Sequence, residues 1–358
     1  MKKQLHTNEF EKGRGAQINP ANSFLKNRYV QEEAFAIDDY SIDSTQTQYF
    51  YENSKTIANK VINPDVGMEY SANPYQGCEH GCIYCYARNS HEYWGYSAGK
   101  DFESKIIVKK NAPALLKKLF ESKTWVPSVL SISGNTDCYQ PVERRMKLTR
   151  AMLEVCLEYR NPVGLLTKNA LVLRDLDILT EMAKLNLVRV HTSITSLDED
   201  LRLQLEPRTT TYKSRLNILE QCSKAGIPTG IMNAPIIPGL NDHHMPDVIK
   251  AAADHGAKWA GYTVVRLNGA IGEIFKNWLD FTFPDRAQKV WNMIADCHGG
   301  QVSDSRIGNR ISGEGKFAEL IKNQFELLCR KYGLNQEGKH LNKSLFRRSP
   351  GCQMTLFS

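Results

Sequence analysis

Short apolar segments alternate with longer amphipathic segments from about residue 66 to about residue 280 of this 358-residue chain. Near-continuous apolar runs are typical of parallel strands that are covered on both faces, and the segments between them have the spacing of helices with one apolar side. The six predicted strands span residues 68–72, 128–133, 162–167, 188–195, 228–237 and 259–267. The alternation therefore predicts a parallel α/β architecture with right-handed crossovers.

The pattern alone leaves two architectures open, a partial barrel and an open doubly wound sheet. No Gly-x-Gly-x-x-Gly fingerprint follows the first predicted strand, which disfavours a nucleotide-binding sheet. We expect one helix to begin at Pro141, where a first helical turn accepts proline, and a last helix to span 317–332. The predicted regions are an N-terminal extension (1–65), a core (66–280) and a C-terminal helical cap with a tail (281–358).

Three of the nine cysteines lie within eight residues, and Cys78, Cys82 and Cys85 have the spacing C-x3-C-x2-C. Clustered thiols in a chain with no sign of secretion indicate metal binding or catalysis. Three thiolates on one loop bind three irons of a cubane cluster and leave the fourth iron open. Gly77 and Gly81 free the backbone to curl around such a cluster.

A zinc site is the alternative interpretation of the same loop. The three thiols together with His80 or His91 form a Cys3His ligand set, which would make the protein a non-enzymatic zinc-binding module. Zinc sites more often consist of two separated pairs of ligands, and the sequence has no second, distant pair of cysteines.

The cysteine spacing, with the aromatic Tyr84 directly before the last cysteine, resembles the signature of the radical S-adenosylmethionine (SAM) superfamily. The resemblance covers about residues 66–280 and implies a partial (β/α)6 TIM-type barrel whose cluster loop follows the first strand. It implies a [4Fe–4S] cluster as cofactor and Cys78, Cys82 and Cys85 as its ligands. It also implies reductive cleavage of SAM to a 5′-deoxyadenosyl radical, hydrogen abstraction from a substrate, and an external one-electron donor of flavodoxin or ferredoxin type.

Further stretches are similar to the branch of this superfamily that is related to spore photoproduct lyase, also called photolyase-like. The turn at 133–137 matches the cofactor turn after the second strand but departs from its usual Gly-Gly-Glu form. The similarity implies that Lys168 binds the carboxylate or ribose of SAM, that Ser193 binds the ribose hydroxyls and that Arg208 clamps the methionine carboxylate. A surface arginine is the alternative for Arg208. The full set of implied cofactor contacts is Tyr84, Gly134, Asn135, Thr136, Lys168, Ser193 and Arg208.

Cys138 is a candidate catalytic residue. Gly134 stands where the lyase has its hydrogen-donor cysteine, and Cys138 follows four residues later. It is either a hydrogen donor to a product radical or a buried thiol. The lyase reaction therefore does not transfer with the fold.

The net charge of +7 is compatible with a phosphate-rich partner or with an ordinary solvated surface. Together with the branch resemblance, it favours a nucleic-acid substrate, for repair or modification, over a peptide or protein side chain. Arg306 and Arg310 lie among glycines and either close over a phosphate-bearing substrate or form a surface loop. Residues 13–16 are an arm that reaches the site or a loose tail.

The N-terminus has no apolar stretch after its lysines, and no run approaches the roughly 18 apolar residues of a membrane span. The sequence therefore predicts a cytoplasmic protein with no membrane partner.

Overall fold

The computed structural model describes residue 11 and residues 13–24, 46–336, 338 and 340–348. Its strands are β1 (Gln48–Glu52), β2 (Ala58–Lys60), β3 (Tyr70–Ala72), β4 (Tyr75–Gln76), β5 (Lys105–Lys109), β6 (Leu130–Ile132), β7 (Val163–Thr167), β8 (Val188–Ser193), β9 (Thr229–Ile236) and β10 (Trp259–Val264). Its α-helices are α1 (Lys100–Ser104), α2 (Ala112–Glu121), α3 (Glu143–Met146), α4 (Leu148–Tyr159), α5 (Leu176–Lys184), α6 (Glu199–Leu205), α7 (Tyr212–Lys224), α8 (Met245–Asp254), α9 (Ala270–Thr282), α10 (Ala287–Asp296) and α11 (Gly315–Lys331). Shorter 3-10 helices span Pro64–Val66, Tyr86–Trp94, Ala170–Asp175 and Asp242–His244.

The main sheet has seven strands in the order β10-β9-β8-β7-β6-β3-β2. All neighbouring pairs from β3 to β10 are parallel, and only β2 at the edge is antiparallel to its neighbour. The six parallel strands lie within the six predicted segments, so the prediction of a parallel α/β fold is confirmed. The edge strand β2, with the sequence Ala-Asn-Lys, has no apolar pattern that could have predicted it.

The two faces of this sheet differ because successive side chains of a strand point to opposite sides. Leu130, Val163 and Leu165 lie on one face, are almost completely buried and belong to the largest core cluster, together with residues of α2, α4 and α5. On the other face Ser131 of β6 is in register with Gly164 of β7, and both are only partly buried. At this pair of positions, small residues therefore lie on the less covered face.

The prediction of one helix that begins at Pro141 is wrong, because the structure has two helices in this segment. The first, α3, ends before Lys147, which has a φ of 53°. A left-handed residue interrupts an α-helix, so α4 begins afresh after Lys147. The apolar stripe predicted for this segment is present on α4, where Met152, Cys156 and Tyr159 are buried.

A second, three-stranded sheet was not predicted from the sequence. Its order is β1-β5-β4, with β1 and β5 parallel and β4 antiparallel to β5. The short strand β4 ends at Gln76, directly before the cysteine-rich loop. This small sheet therefore fixes the start of that loop.

The C-terminal part of the described chain is helical, and α11 confirms the helix predicted over 317–332. Residues of α11 and α8 share one core cluster. The tail at 340–348 returns to α4, where the Arg347 N–H donates to the Tyr159 carbonyl oxygen at 2.9 Å. The region boundaries at 65 and 280 stay predictions, and parts of both terminal regions lie outside the described residues. No helix in the described part of the chain combines the length and apolarity that crossing a membrane requires.

We expect Leu165→Ala to lower the free energy of unfolding by about 2–5 kcal/mol, because truncation leaves a cavity in the largest core cluster. Leu320→Ala on α11 is the control, since its exposed side chain should change stability by no more than about 0.5 kcal/mol. Chemical denaturation of both variants beside the parent protein measures the difference. Equal stabilities of the two variants would contradict the assignment of the core.

Candidate functional site

The cysteine-rich loop follows β3 and β4 and is held by backbone hydrogen bonds from two sides. The Cys78 N–H donates to the Phe102 carbonyl at 2.9 Å, and the Ile83 N–H donates to the Leu205 carbonyl at 3.0 Å. A side chain holds the loop on a third side, where Gln140 Nε2 donates to the Gly77 carbonyl at 2.9 Å. The loop therefore has a fixed path between α1, the end of α6 and the turn after β6.

Two glycines permit this path. Gly77 and Gly81 have φ values of 78° and 70°, which side chains rarely adopt. A Cβ on Gly77 would lie 2.9 Å from the Lys105 carbonyl oxygen, and one on Gly81 would lie 3.0 Å from a Glu103 carboxylate oxygen. Conformation and close contact both require glycine here.

The three thiols fit the iron–sulfur cluster that the spacing predicts. None of them forms a disulfide, Cys78 and Cys82 are buried, and Cys85 is partly buried. Burial raises the pKa of all three thiols, and the pKa of Cys78 is raised further by Asp137, Cys82 and Cys85. A cationic iron centre would offset this cost and stabilise the thiolates.

A single zinc ion fits the loop less well. Across the described ranges, no three His, Cys, Asp or Glu side chains form a group that could hold one metal ion. Zinc requires all its ligands within about 2.3 Å of one point, whereas thiolates that bind three different irons need not converge. His80 instead faces Asp137, with 3.4 Å between Nδ1 and Oδ2, and His91 packs on the rings of Tyr96 and Phe102.

A fully buried ion pair lies under the loop. Arg88 Nη2 is 2.5 Å from Glu103 Oε1, and both side chains are 0% exposed. The Arg88 guanidinium also donates to the Cys82 carbonyl through Nε and Nη2, at 3.0 and 2.9 Å. Its remaining bonds go to the carbonyls of Ala98 and Gly99. This pair fixes the backbone at the middle cysteine.

Residues 13–16, which we call the strap, lie across the same loop. The Gly15 and Ala16 N–H groups donate to the two Glu103 carboxylate oxygens at 3.1 and 2.7 Å, and Arg14 Nη1 donates to the Glu103 carbonyl at 2.9 Å. The strap is buried, with Ala16 completely enclosed. Of the two sequence interpretations, an arm at the site is therefore confirmed over a loose tail.

The predicted cofactor turn after β6 is built against the loop. Ser133 has a φ of 91°, and a Cβ on Gly134 would lie 2.1 Å from the Ser71 hydroxyl oxygen. The Tyr86 hydroxyl donates to the Gly134 carbonyl at 2.7 Å, and Thr136 Oγ1 donates to the Tyr75 carbonyl at 3.1 Å. Asn135 bonds Gln76, directly before the loop. The turn and the cluster loop thus form one unit.

Glu206 joins several of the predicted site residues, although the sequence analysis did not select it. It accepts a hydrogen bond from the Tyr84 hydroxyl, and its oxygens lie 3.6 Å from Lys168 Nζ and 2.6 Å from Arg215 Nη2. Burial tends to raise the pKa of Glu206, but Arg215 and Lys168 outweigh burial and hold the pKa at about 2. The carboxylate is therefore charged and fixes Lys168 beside the loop. In the sequence, Glu206 could have been noticed by its position directly before Pro207 and Arg208.

Asp137 is a second carboxylate that the sequence analysis missed. It accepts from Thr167 Oγ1 and from the Lys168 N–H, both at 2.8 Å. Burial tends to raise the pKa of Asp137, but His80 and the backbone donors lower the pKa below its usual value. This carboxylate links the turn after β6 to the end of β7.

The remaining predicted residues differ in their surroundings. The Arg208 N–H donates to the His80 carbonyl at 3.2 Å and its Nε donates to the Gly13 carbonyl at 2.9 Å, so Arg208 connects loop and strap. Ser193 ends β8, and its carbonyl accepts from Arg215 Nη1 at 3.0 Å. Cys138 is 0% exposed within the largest core cluster, and burial raises the pKa of its thiol. Its role as a hydrogen donor stays a prediction.

Residues 72–252, just over half of the chain, match the family model of the radical SAM superfamily. The chain belongs to the radical SAM superfamily. It is therefore an enzyme whose cofactors are a [4Fe–4S] cluster and SAM, and family membership implies that the cluster is used to cleave SAM. The alternative of a non-enzymatic zinc module is set aside.

Relatives of this radical SAM protein occur in bacteria and archaea. A protein of Mycobacterium tuberculosis is 32% identical over 234 residues, which cover 64% of this chain and 69% of that protein. A protein of Methanocaldococcus jannaschii is 31% identical over 245 residues, which cover 67% of this chain and 87% of that protein. Both are uncharacterized, so they indicate no particular reaction.

Among solved structures, spore photoproduct lyase has a similar fold. A variant with bound AdoMet and dinucleoside spore photoproduct has a TM-score of 0.57 at 14% identity and covers 82% of both chains. The lyase complexed with dinucleoside spore photoproduct has a TM-score of 0.57 at 16% identity and covers 80% of both chains. At this level of identity the likeness concerns the fold.

We expect Gly15→Ala to speed the loss of cluster iron to a chelator by about tenfold or more. The added Cβ would lie 1.8 Å from the Gly81 carbonyl oxygen, so strap and loop must separate, at a cost of about 1–3 kcal/mol. The measurement is the rate of iron release from anaerobically reconstituted protein.

Gly272→Ala in α9 is the matched control, because its added Cβ has the Leu267 carbonyl oxygen at 3.2 Å as its nearest atom and alanine favours a helix. If the two variants release iron at the same rate, the strap does not support the loop.

Proposed function

We propose that this radical SAM enzyme holds its cluster through Cys78, Cys82 and Cys85 and uses SAM to abstract hydrogen from a nucleic-acid substrate. One observation carries the proposal: the triad loop, the turn after β6 and the end of β7 are joined into one buried unit. Barrel-type active sites generally lie at these carboxyl ends of parallel strands.

Cys78, Cys82 and Cys85 would hold the cluster through three of its irons. A bound cluster would supply the electron for reductive cleavage of SAM. The chain contributes position and exclusion of water, since the loop is closed in by α1, α6 and the strap.

Lys168 is the side chain that we assign most directly to SAM. Glu206 and the Tyr84 ring flank it, with the ring centroid 5.9 Å from Nζ. A lysine held at the end of β7 presents a positive charge to the carboxylate or ribose of SAM. We assign Tyr84, Ser193, Arg208 and the turn residues Gly134, Asn135 and Thr136 to the same cofactor.

We also propose that the main sheet curves into a partial (β/α)6 barrel, preceded by an extension over 1–65 and followed by a helical cap and tail over 281–358. The six parallel strands and the fold similarity to spore photoproduct lyase support the barrel. Radical SAM enzymes need an external electron donor, and we propose a flavodoxin or ferredoxin in the cytoplasm.

The substrate part of the proposal is supported by charge and by one neighbour. The chain has a net charge of +7, and the lyase of similar fold binds a dinucleoside spore photoproduct. Positive charge favours association with phosphate backbones. A peptide or protein side chain is the competing substrate.

Replacing Cys78, Cys82 or Cys85 by Ala should reduce iron from about four per chain to nearly none and abolish 5′-deoxyadenosine formation. Each replacement removes one of the three protein ligands. Iron, sulfide and zinc are assayed after anaerobic reconstitution, and the product is measured after addition of dithionite and SAM.

Cys222→Ala is the control, because this thiol is buried in the core at α7 and should leave iron unchanged. Full iron content in any one of the three loop variants would sink the ligand assignment. Parent protein with one zinc, no iron and no product would overturn the proposed function itself.

Lys168→Gln should weaken SAM binding by about tenfold, because it removes a charged hydrogen-bond donor from the cofactor. Iron content should stay at the parent level. Binding is measured by calorimetry on the reconstituted protein, with Lys184→Gln, an exposed lysine of α5, as control. Equal affinities of the two variants for SAM would remove Lys168 from the site.

A further inference from the structure

The two ends of the main sheet are not joined by backbone hydrogen bonds within the described residues, because β10 pairs only with β9. The gap between these two ends, which we call the seam, is bridged by side chains instead. Asp65, from the 3-10 helix before β3, accepts from the Gly308 N–H at 3.0 Å and from Arg310 Nε at 2.6 Å. Arg310 also bonds the side chain of Asn63. The segment after α10 thus reaches the opposite end of the sheet.

A second arginine lies at the seam. Arg266 follows the end of β10 by two residues and is partly buried. Its one hydrogen bond in the described structure runs from Nη1 to the Asp304 carbonyl at 3.2 Å, and it forms no ion pair with a carboxylate there. Partly buried arginines usually face a carboxylate or phosphate, whose planar geometry their two-pronged donors match.

The carboxylates nearby are already engaged. Both Asp304 oxygens contact Arg306, at 3.1 and 2.8 Å, and the second also lies 3.5 Å from His298 Nδ1. Asp65 is held by Arg310. Burial, and then the positive charge of Arg310, lower the pKa of Arg266 more than Asp304 and Asp65 raise it. Of Arg266, Arg306 and Arg310, only Arg266 is without a carboxylate in direct contact.

This part of the seam adjoins the predicted SAM site. Tyr86, whose hydroxyl bonds the Gly134 carbonyl of the cofactor turn, lies in the 3-10 helix that contacts the chain directly after Arg266. The Asn89 side chain, in the same 3-10 helix, donates to the Asn268 carbonyl at 2.8 Å.

We propose that Arg266 is the centre of an anion site at the seam, which binds a phosphate group of the substrate beside the SAM pocket. The inference rests on the proposed function and names a residue that binds a phosphate of the nucleic-acid substrate. It departs from the alternative in which Arg306 and Arg310 close over the phosphate, since Asp304 and Glu314 contact Arg306 and Asp65 contacts Arg310.

The test compares Arg266→Gln with the parent in binding a short, fluorescently labelled single-stranded DNA by anisotropy. We expect the affinity for DNA to fall about tenfold. The salt dependence of binding should correspond to about one phosphate contact fewer than in the parent. Inorganic phosphate should compete with the DNA in the parent and less well in the variant. Arg266→Gln leaves no carboxylate without its partner, so the variant should fold.

Arg286→Gln, at the start of α10, removes one positive charge elsewhere and should bind DNA like the parent. Equal affinities of the Arg266 and Arg286 variants for DNA would overturn the anion site. So would displacement of the DNA by a glutamate-rich peptide but not by phosphate, which would identify a carboxylate site. A matching loss of SAM affinity in Arg266→Gln would place Arg266 in the cofactor pocket and also overturn it.

Iron content and 5′-deoxyadenosine formation are measured on the same parent preparation. Normal iron content and product formation in the parent, together with unchanged DNA binding in Arg266→Gln, reject only the anion site. Absent iron and absent product reject the proposed function.

Discussion

The Arg88–Glu103 ion pair is the interaction on which the cysteine loop depends. Charges that are fully removed from water are costly unless all their hydrogen-bonding capacity is used. Here the guanidinium is shared between the Cys82, Ala98 and Gly99 carbonyls and Glu103, and the carboxylate also accepts from the strap. One pair thus connects four pieces of chain, so the loop keeps its path even though it has little regular secondary structure of its own.

Much of the fold could be predicted because its signals are local. Parallel strands between two covering layers are apolar along their length, and six such runs were visible. The second sheet was missed because β4 has only two residues and because pairing between β1 and β5 joins segments more than fifty positions apart. The break at Lys147 was missed as well, since nothing in a lysine indicates a left-handed conformation.

The residues of the site likewise fall into two groups: those that a local sequence pattern predicts and those that only the fold brings together. The cysteine triad is a spacing within one loop, so the sequence alone predicts it, and its role as the ligand set stays a prediction. Glu103, Asp137 and Glu206 are single carboxylates in unremarkable surroundings. Their importance arises from partners elsewhere in the chain, such as Arg88, His80 and Arg215, which only the folded structure brings within reach. Of the two interpretations of Arg306, the surface loop fits the structure better, because its guanidinium contacts Asp304 and Glu314.

The strap has a consequence for the order of folding. The hydrogen bond from Gly15 to Glu103 spans 88 residues, and closing so long a loop has an entropic cost and is slow compared with local contacts. The strap is synthesised before α1, yet the surface that it covers exists only after α1 has been made and packed. The earliest residues of this region are therefore among the last to dock. Until they do, the cysteine loop is uncovered on the side where the strap lies.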